Sequence, residues 1–204
     1  MAAMYRRCNH LTMSSRQSCG VMSVWSESNI TPEPGEPNPD YGEWTDYRVP
    51  DDRSGWHPLI CRFYDYWLSA APPGRLPGRQ HIAPEDMTPW LSRLWLLDVC
   101  RDPLRFRCRL IGSEMVRTLG GEVTGKWLDE VHPQSIANPS SRERFRILAE
   151  QARPTWRRGA PHWVRAAPEY RTVESCLVPL AGDGVTVDIV MAVSMLFTDS
   201  GRQF

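Results

Sequence analysis

The sequence predicts an α+β fold: a five-stranded antiparallel sheet with helices on one face, preceded by an N-terminal amphipathic helix. Three observations lead to this fold class. An amphipathic helical pattern near residue 60 is followed by two strand patterns, the middle of the chain is helical, and three more strand patterns close it. Because strands and helices are segregated rather than alternating one by one, an antiparallel sheet is favoured over a parallel one.

The first quarter of the chain has the composition of a disordered tail. Between Glu27 and Asp52 lie eight acidic residues and one arginine, together with five prolines. Such a segment buries too little apolar surface to compensate the entropy lost on ordering. We therefore expect residues 1–54 to be a disordered acidic tail and residues 55–204 to form the domain. A chain beginning near Ser54 should then melt within about 1 °C of the full chain.

The ordered part opens with an amphipathic helix. In HPLICRFYDYWLSAA, which starts at His57, apolar residues recur at helical spacing; they are Ile60, Phe63, Tyr64, Trp67 and Leu68. Two prolines and a glycine at 72–74 end the helix. A connector rich in Pro and Gly follows, and it leads to a short helical turn at 88–93.

A β-hairpin comes next. Residues 94–100 (LWLLDVC) are a compact apolar run, Asp102-Pro103 forms a turn, and residues 105–111 (RFRCRLI) alternate. In the alternating strand one face carries Phe106, Cys108 and Leu110, and the other carries Arg105, Arg107 and Arg109.

The rest of the chain returns from helices to strands. We expect short helices at 113–119 and 127–131, then a longer helix capped by Asn138, with Pro139 at its first position, ending near Ala152. Strands are expected at 155–165, 169–180 and 185–197, with a hairpin turn at 182–184.

Two local motifs carry a resemblance to a known family. Residues 112–133 (GSEMVRTLGGEVTGKWLDEVHP) resemble the middle of PAS domains, where a short helix reaches a Gly turn and a G-K-x-L-x-x-x-x-H-P stretch. Gln134-Ser135 replaces the acidic residue that usually follows His-Pro. Residues 63–112 are similar to short single-domain PAS-like proteins; the matching pieces are Tyr66-Trp67, 74–79, Pro84, 94–99 and 106–112. One spacer residue is missing between Arg75 and Leu76. The resemblance covers about residues 60–197 and implies the PAS fold.

Several function classes are disfavoured by the sequence. The formal net charge is +0, which gives no electrostatic case for nucleic acid or membrane surfaces. No apolar run approaches the ~18 residues of a membrane span. The six cysteines show no zinc-finger spacing and suit a reducing cytoplasm. No nucleophile elbow, P-loop or metalloprotease motif is present, so we expect no catalytic residues and no enzyme activity.

Flavin and haem are the cofactors to weigh in a PAS-like chain. Cys108 lies on a predicted strand, whereas the photoactive cysteine of flavin-binding relatives lies on a helix. Sensor haems are usually held by a histidine of the long helix, and residues 139–152 contain none, although His132 precedes them. We expect no cofactor and no metal.

The resemblance implies a ligand pocket between the inner sheet face and the helices. The expected lining is Leu97, Cys108 and Leu110 from the hairpin, Trp127, Phe145 and Leu148 from the helices, and Met191, Val193 and Met195 from the last strand. The alternative is that these side chains simply fill the core.

The resemblance also implies a sensory or regulatory module. Its expected mode of action is protein–protein interaction, with an unidentified signalling partner and a homodimer; the alternative is a sensor with an apolar ligand in the pocket. The residues expected at the dimer or partner surface are Phe63, Tyr64 and Trp67. The side chains of Arg105, Arg107 and Arg109 (the arginine row) then need acidic partners or contact with solvent, because an unpaired charge is costly to bury, and Asp65 is one candidate partner. Packing of the aromatic stripe on its own sheet is equally open.

One prediction concerns the colour of the protein. Because neither a flavin cysteine nor a haem histidine is expected, the purified protein should absorb only in the ultraviolet. An absorption spectrum checks this, and a Soret band or a flavin spectrum that bleaches in blue light would contradict it.

Overall fold

A computed structural model describes residues 49, 52–133, 138–161 and 169–201. These ranges contain four α-helices: α1 (Pro58–Ser69), α2 (Ser113–Leu119), α3 (Leu128–Val131) and α4 (Pro139–Gln151). The described part of the chain also contains five strands: β1 (Leu94–Cys100), β2 (Arg105–Ile111), β3 (Thr155–Gly159), β4 (Tyr170–Leu180) and β5 (Ile189–Thr198). Single 3-10 turns lie at Arg79–His81 and Leu91–Arg93. None of the helices in the described ranges is long and apolar enough to cross a membrane.

The strands form one antiparallel sheet in the order β2-β1-β5-β4-β3. The predicted fold class is therefore confirmed. The bounds predicted for β1, β2 and α2 match the structure, and Asn138 caps α4 by accepting a hydrogen bond from the Ser141 amide at 3.2 Å. The predicted strand at 155–165 is shorter: β3 ends at Gly159, and residues 162–168 lie outside the described part.

The sheet is covered on both faces. On one face α1, the connector after it and a 3-10 turn pack on odd-numbered residues of β5, namely Ile189, Met191, Val193, Met195 and Phe197. On the other face α3 and α4 pack on Val190 and Ala192. We call these the α1 face and the α4 face. Because successive side chains of a strand point to opposite sides, β5 supplies both cores.

Helix α1 is held on its face by buried aromatic side chains. Phe63 is 0% and Trp67 6% exposed, and the Trp67 Nε1–H donates to the Pro179 carbonyl at 2.9 Å. Trp56, just before the helix, stacks on Trp156 of β3 with centroids 5.1 Å apart. Glu174, fully buried, accepts hydrogen bonds from the His57 amide (2.8 Å) and the Trp156 indole (3.1 Å).

The predicted dimer surface is therefore wrong for Phe63 and Trp67. Both side chains belong to the core of their own domain, so they cannot meet a second molecule without unfolding α1. Tyr64 is partly buried and packs against the same core, with its ring 5.7 Å from that of Trp67. The intramolecular use of the stripe is the one the structure shows.

The arginine row finds its partners within the sheet and α3. Arg105 forms a two-pronged ion pair with Asp129 (3.0 and 2.9 Å), and its guanidinium lies 4.2 Å from the centre of the Trp127 ring. Arg109 donates to Asp98 of β1 at 2.9 Å, and Arg107 lies 3.9 Å from the same carboxylate. The expectation that Asp65 serves the row is wrong, because Asp65 pairs with Arg53.

The predicted boundary at Ser54 cuts through contacts of Arg53. The Arg53 guanidinium donates to Asp65 at 2.6 Å and lies 5.2 Å from the centre of the Tyr64 ring. Its carbonyl accepts from the Trp56 amide at 3.0 Å. Residues 1–48, which make up most of the predicted tail, lie outside the described part.

Truncation tests where the folded unit begins. A chain starting at Val49 keeps Arg53 and should melt within about 1 °C of the full chain. A chain starting at Ser54 should melt about 2–4 °C lower, since an exposed ion pair and a cation–π contact together contribute roughly 1 kcal/mol. Arg53→Ala in the full chain is the matched control and should lose as much. Equal melting of both truncations, measured by calorimetry, would place the boundary at Ser54 after all.

Substitution on α1 distinguishes core from interface. Phe63→Ala should lower the free energy of unfolding by about 3–5 kcal/mol, because it leaves a cavity in a packed core. Leu68→Ala, on the same helix and 47% exposed, should change it by less than about 0.5 kcal/mol. Denaturant unfolding measures both. A Phe63→Ala protein of unchanged stability and half the native mass would instead show an interface.

Candidate functional site

A cavity of about 60 Å³ lies on the α4 face, between the sheet and helices α2–α4. Its walls combine apolar side chains with two arginines, a histidine and three serines. The lining residues are Trp95, Cys108, Ile111, Met115, Leu119, Leu128, His132, Ser141, Arg144, Phe145, Arg157, Ser175, Leu177 and Ser194.

A β-bulge in β2 determines which hairpin residues reach the cavity. Leu97 pairs with Cys108 and the preceding Leu96 pairs with Leu110, so Arg109 is the extra residue. A bulge of one residue reverses the faces of the residues beyond it. Cys108 therefore faces the helices, Leu110 turns outward with 40% exposure, and Ile111 enters the cavity wall.

Helix α4 brings a charged residue onto its buried side. Its buried positions are Ser141, Arg144, Phe145, Leu148 and Ala149, spaced by three or four residues as on one face of a helix. The Asn138 cap fixes the start of this helix, and Phe145 packs on Phe106 of β2 with centroids 4.9 Å apart. The Arg144 side chain therefore extends from the apolar face of α4 toward the sheet.

The Arg144 guanidinium, 5% exposed, connects α4 to two strands. It donates to Thr155 Oγ1 at 2.9 Å and to the Thr155 carbonyl at 3.5 Å. It also donates to Ser175 Oγ at 3.1 Å and to the Ser175 carbonyl at 3.0 Å. A buried charge is tolerated only when its donors are satisfied, and these bonds meet that need with hydroxyl and carbonyl oxygens.

The wall near Arg144 contains further polar groups. Arg157 of β3 is 5% exposed and donates to the Ala160 carbonyl at 2.7 Å. Ser194 of β5 accepts a hydrogen bond from the Trp95 indole at 3.2 Å. Arginine and serine side chains therefore converge at one part of the cavity, while the α2 and α3 part is lined by Met115, Leu119 and Leu128.

Cys108 in the cavity wall is suited to packing rather than nucleophilic chemistry. Burial raises the pKa of its thiol to about 11, from an ordinary value near 9. The thiolate is the nucleophilic form of cysteine, and at neutral pH Cys108 stays a thiol. Its contribution to the cavity is a small, weakly polar surface.

The predicted pocket residues divide into three groups. Cys108 and Phe145 line the cavity. Leu97 and Leu148 are fully buried in the same hydrophobic cluster without lining it. The other five predicted residues are placed elsewhere, for two different reasons.

The strand β5 residues lie on the wrong side of the sheet. Met191, Val193 and Met195 point to the α1 face, where they pack against α1, and the cavity is reached by Ser194 of this strand. The prediction for these three is wrong because β5 is apolar on both faces, which leaves the choice of face undetermined by its pattern.

Leu110 and Trp127 were also wrongly predicted to line the cavity. Leu110 is turned outward by the bulge at Arg109. Trp127 pairs through its backbone with Arg107 at the edge of the sheet, and its ring stacks under the Arg105 guanidinium. Its ring is thereby held at the edge of β2.

The polar part of the cavity was missed by the sequence reasoning. Two features of the sequence do indicate this polar part: Arg144 lies on the apolar face of α4 with Phe145 and Leu148, and Ser194 interrupts an otherwise apolar strand. Arg157 and Ser175 carried no such signal, since both stand in strands of mixed composition.

Metal ligands are not grouped in the parts of the chain described here. Across these residues no cluster of three or more His, Cys, Asp or Glu side chains is close enough to hold a metal ion.

The strand order and the helical connector between β2 and β3 define an α+β domain with one antiparallel sheet, and the cavity lies between the sheet and that connector. A protein-family model described as PAS domain matches residues 56–191, and the chain belongs to this family. Membership indicates a sensory or regulatory domain. Neither the curated proteins nor the solved structures yielded a match to this chain.

Proposed function

We propose that this PAS domain senses a small molecule bound in the cavity on the α4 face. The observation that supports the proposal is the lining itself: a partly open cavity whose wall combines apolar side chains with a few converging polar groups. Ligand sites characteristically have this composition, since apolar surface supplies affinity and placed polar groups supply orientation.

The size of the cavity limits the ligand. An apolar cavity of about 150 Å³ accommodates benzene. With about 60 Å³, the site on the α4 face accepts a molecule of only a few non-hydrogen atoms, or the end group of a longer one.

We propose that the ligand is bound and not chemically changed. The thiol at the cavity is protonated at neutral pH, as its raised pKa requires. The arginines of the wall are permanently protonated and cannot act as general bases. Binding and release then carry the signal.

A reducing compartment such as the cytoplasm is the proposed setting. The four cysteines in the described ranges, Cys61, Cys100, Cys108 and Cys176, are free thiols. Burial raises the pKa of Cys176 to about 12, so this thiol contributes packing only.

A second proposal concerns the output: the ligand state is transmitted to a signalling partner protein, with a homodimer as one form of association. The support is the presence of large apolar side chains at the surface, which contribute to protein interfaces. These are Leu68, Leu91, Leu110 and Val185. Leu110 is of particular interest, because the bulge that exposes it also places Ile111 in the cavity wall.

Filling the cavity tests the sensing proposal. Cys108→Leu adds apolar volume inside the cavity, whereas Cys108→Ala leaves it open. Melting should be followed with a panel of small alcohols, amides and carboxylates at millimolar concentration. We expect at least one class to raise the melting temperature of the native protein and of Cys108→Ala, and to leave Cys108→Leu unchanged, since a ligand stabilises only the form that binds it. A panel without effect on the native protein, or with equal effect on all three, would contradict the proposal.

A further inference from the structure

Two serine side chains lie side by side on the sheet wall of the cavity. Ser175 of β4 and Ser194 of β5 are directly opposite each other in the antiparallel pair, and both line the cavity. They are 4% and 1% exposed. Opposite residues of an antiparallel pair have Cβ atoms about 4.5–5.5 Å apart, so the two hydroxyl groups meet the cavity as a pair.

Each hydroxyl oxygen accepts a hydrogen bond from a group that can only donate. The Arg144 guanidinium donates to Ser175 Oγ at 3.1 Å, and the Trp95 indole N–H donates to Ser194 Oγ at 3.2 Å. Guanidinium and indole nitrogens have no acceptor capacity, so the hydrogen of each hydroxyl takes no part in these bonds. The two bonds hold the oxygens in place and leave both O–H groups to donate elsewhere.

The two hydroxyl hydrogens have no acceptor among the residues that the structure describes. Within those residues the hydroxyls of Ser175 and Ser194 make the two bonds above and do not bond to each other. A buried donor without an acceptor is costly, and such groups normally meet a partner. Since both serines line the cavity, its occupant can supply the acceptor.

We propose, on the basis of the sensing function above, that the ligand is a small neutral carbonyl compound, such as a short ketone or amide. Its carbonyl oxygen accepts a hydrogen bond from both serine hydroxyls, as two lone pairs permit. An oxygen between the two side chains can lie about 2.8 Å from each Oγ, the usual length of such a bond. The alkyl part lies against Met115, Leu119 and Leu128 of the helical wall.

A carbonyl oxygen suits the serine pair better than an alcohol or water does. An alcohol carries a hydrogen on the very oxygen that lies between the serines, and this hydrogen needs an acceptor of its own. The N–H groups of an amide are on a different atom and can face the opening of the cavity. Water has no apolar part to cover the helical wall. A ketone or amide of about four non-hydrogen atoms also suits a cavity of about 60 Å³.

Ligands of matched shape test the acceptor requirement. Acetone, acetamide, 2-propanol and dimethyl sulfide are similar in size, but only the first two carry a carbonyl oxygen. NMR titration of the full chain, followed at the Met115 methyl group, gives the dissociation constant of each. We expect acetone and acetamide to bind at least about fivefold more tightly than the other two, because one lost hydrogen bond weakens binding by about this factor.

Serine variants locate the donors. Ser194→Ala should weaken acetone binding about fivefold and leave dimethyl sulfide binding unchanged. Ser69→Ala is the matched control: this serine is exposed on α1, its hydroxyl donates to the Tyr66 carbonyl, and its loss should change neither affinity. Ser194→Cys keeps a side chain of similar size with a weak donor, and should also weaken acetone binding, which keeps the proposal testable if Ser194→Ala does not fold.

The outcomes separate this proposal from the one on which it rests. Equal affinity for acetone and dimethyl sulfide, or for acetone and 2-propanol, overturns the carbonyl proposal while the cavity remains a ligand site. Acetone binding that is unaffected by Ser194→Ala does the same, and so does acetate bound more tightly than acetamide, because the preferred ligand is then an anion. If none of these compounds binds but another small molecule raises the melting temperature, the carbonyl proposal alone fails. If no small molecule binds at all, both proposals fail together.

Discussion

Burial of β5 on both of its faces is the constraint on which the other elements depend. Every side chain from Ile189 to Phe197 is buried, and β5 pairs with β1 on one side and β4 on the other. Such a strand must be covered by two layers. Helix α1 supplies one, and helices α3 and α4 supply the other. Since alternate residues point to opposite sides, the strand separates a packed core on the α1 face from a core containing a cavity on the α4 face.

The two faces differ in how their polar groups are used. On the α1 face the buried carboxylate of Glu174 accepts hydrogen bonds from the His57 amide and the Trp156 indole, and so ties the start of α1 to the sheet. On the α4 face Arg144 ties α4 to β3 and β4. Hydrogen bonds to charged groups contribute about 1.5–3 kcal/mol each, and loss of one partner leaves a costly buried charge. The difference is that Arg144 also lines the cavity.

The order of elements followed from local patterns. The run LWLLDVC and the alternation of RFRCRLI were sufficient to predict β1 and β2 with their observed bounds, and Asn138 with Pro139 marked the start of α4. The resemblance to the PAS family rests on residues 63–112 and 112–133, and the family match over residues 56–191 agrees with it.

The site was harder to predict because its geometry depends on tertiary features. The apolar pattern of β5 is equal on both faces, and the choice of Met191, Val193 and Met195 over Ser194 could not be made from it. The bulge at Arg109 turns Leu110 away from the cavity and brings Ile111 into its wall. The alternating sequence pattern of β2 does not indicate this bulge. The aromatic pattern of α1 suits a surface or a core equally well, and the packing of the structure, in which the Trp67 indole donates to the Pro179 carbonyl, decides between them.

Methyl NMR of the full chain, during a titration with a small compound that raises its melting temperature, tests the division of the sheet into a packed face and a binding face most directly. We expect shifts for the methyl groups of Ile111, Met115 and Leu177, which line the cavity, and none for Met191 and Met195 on the α1 face. Shifts confined to Met191 and Met195, with Ile111 and Met115 unchanged, would contradict it.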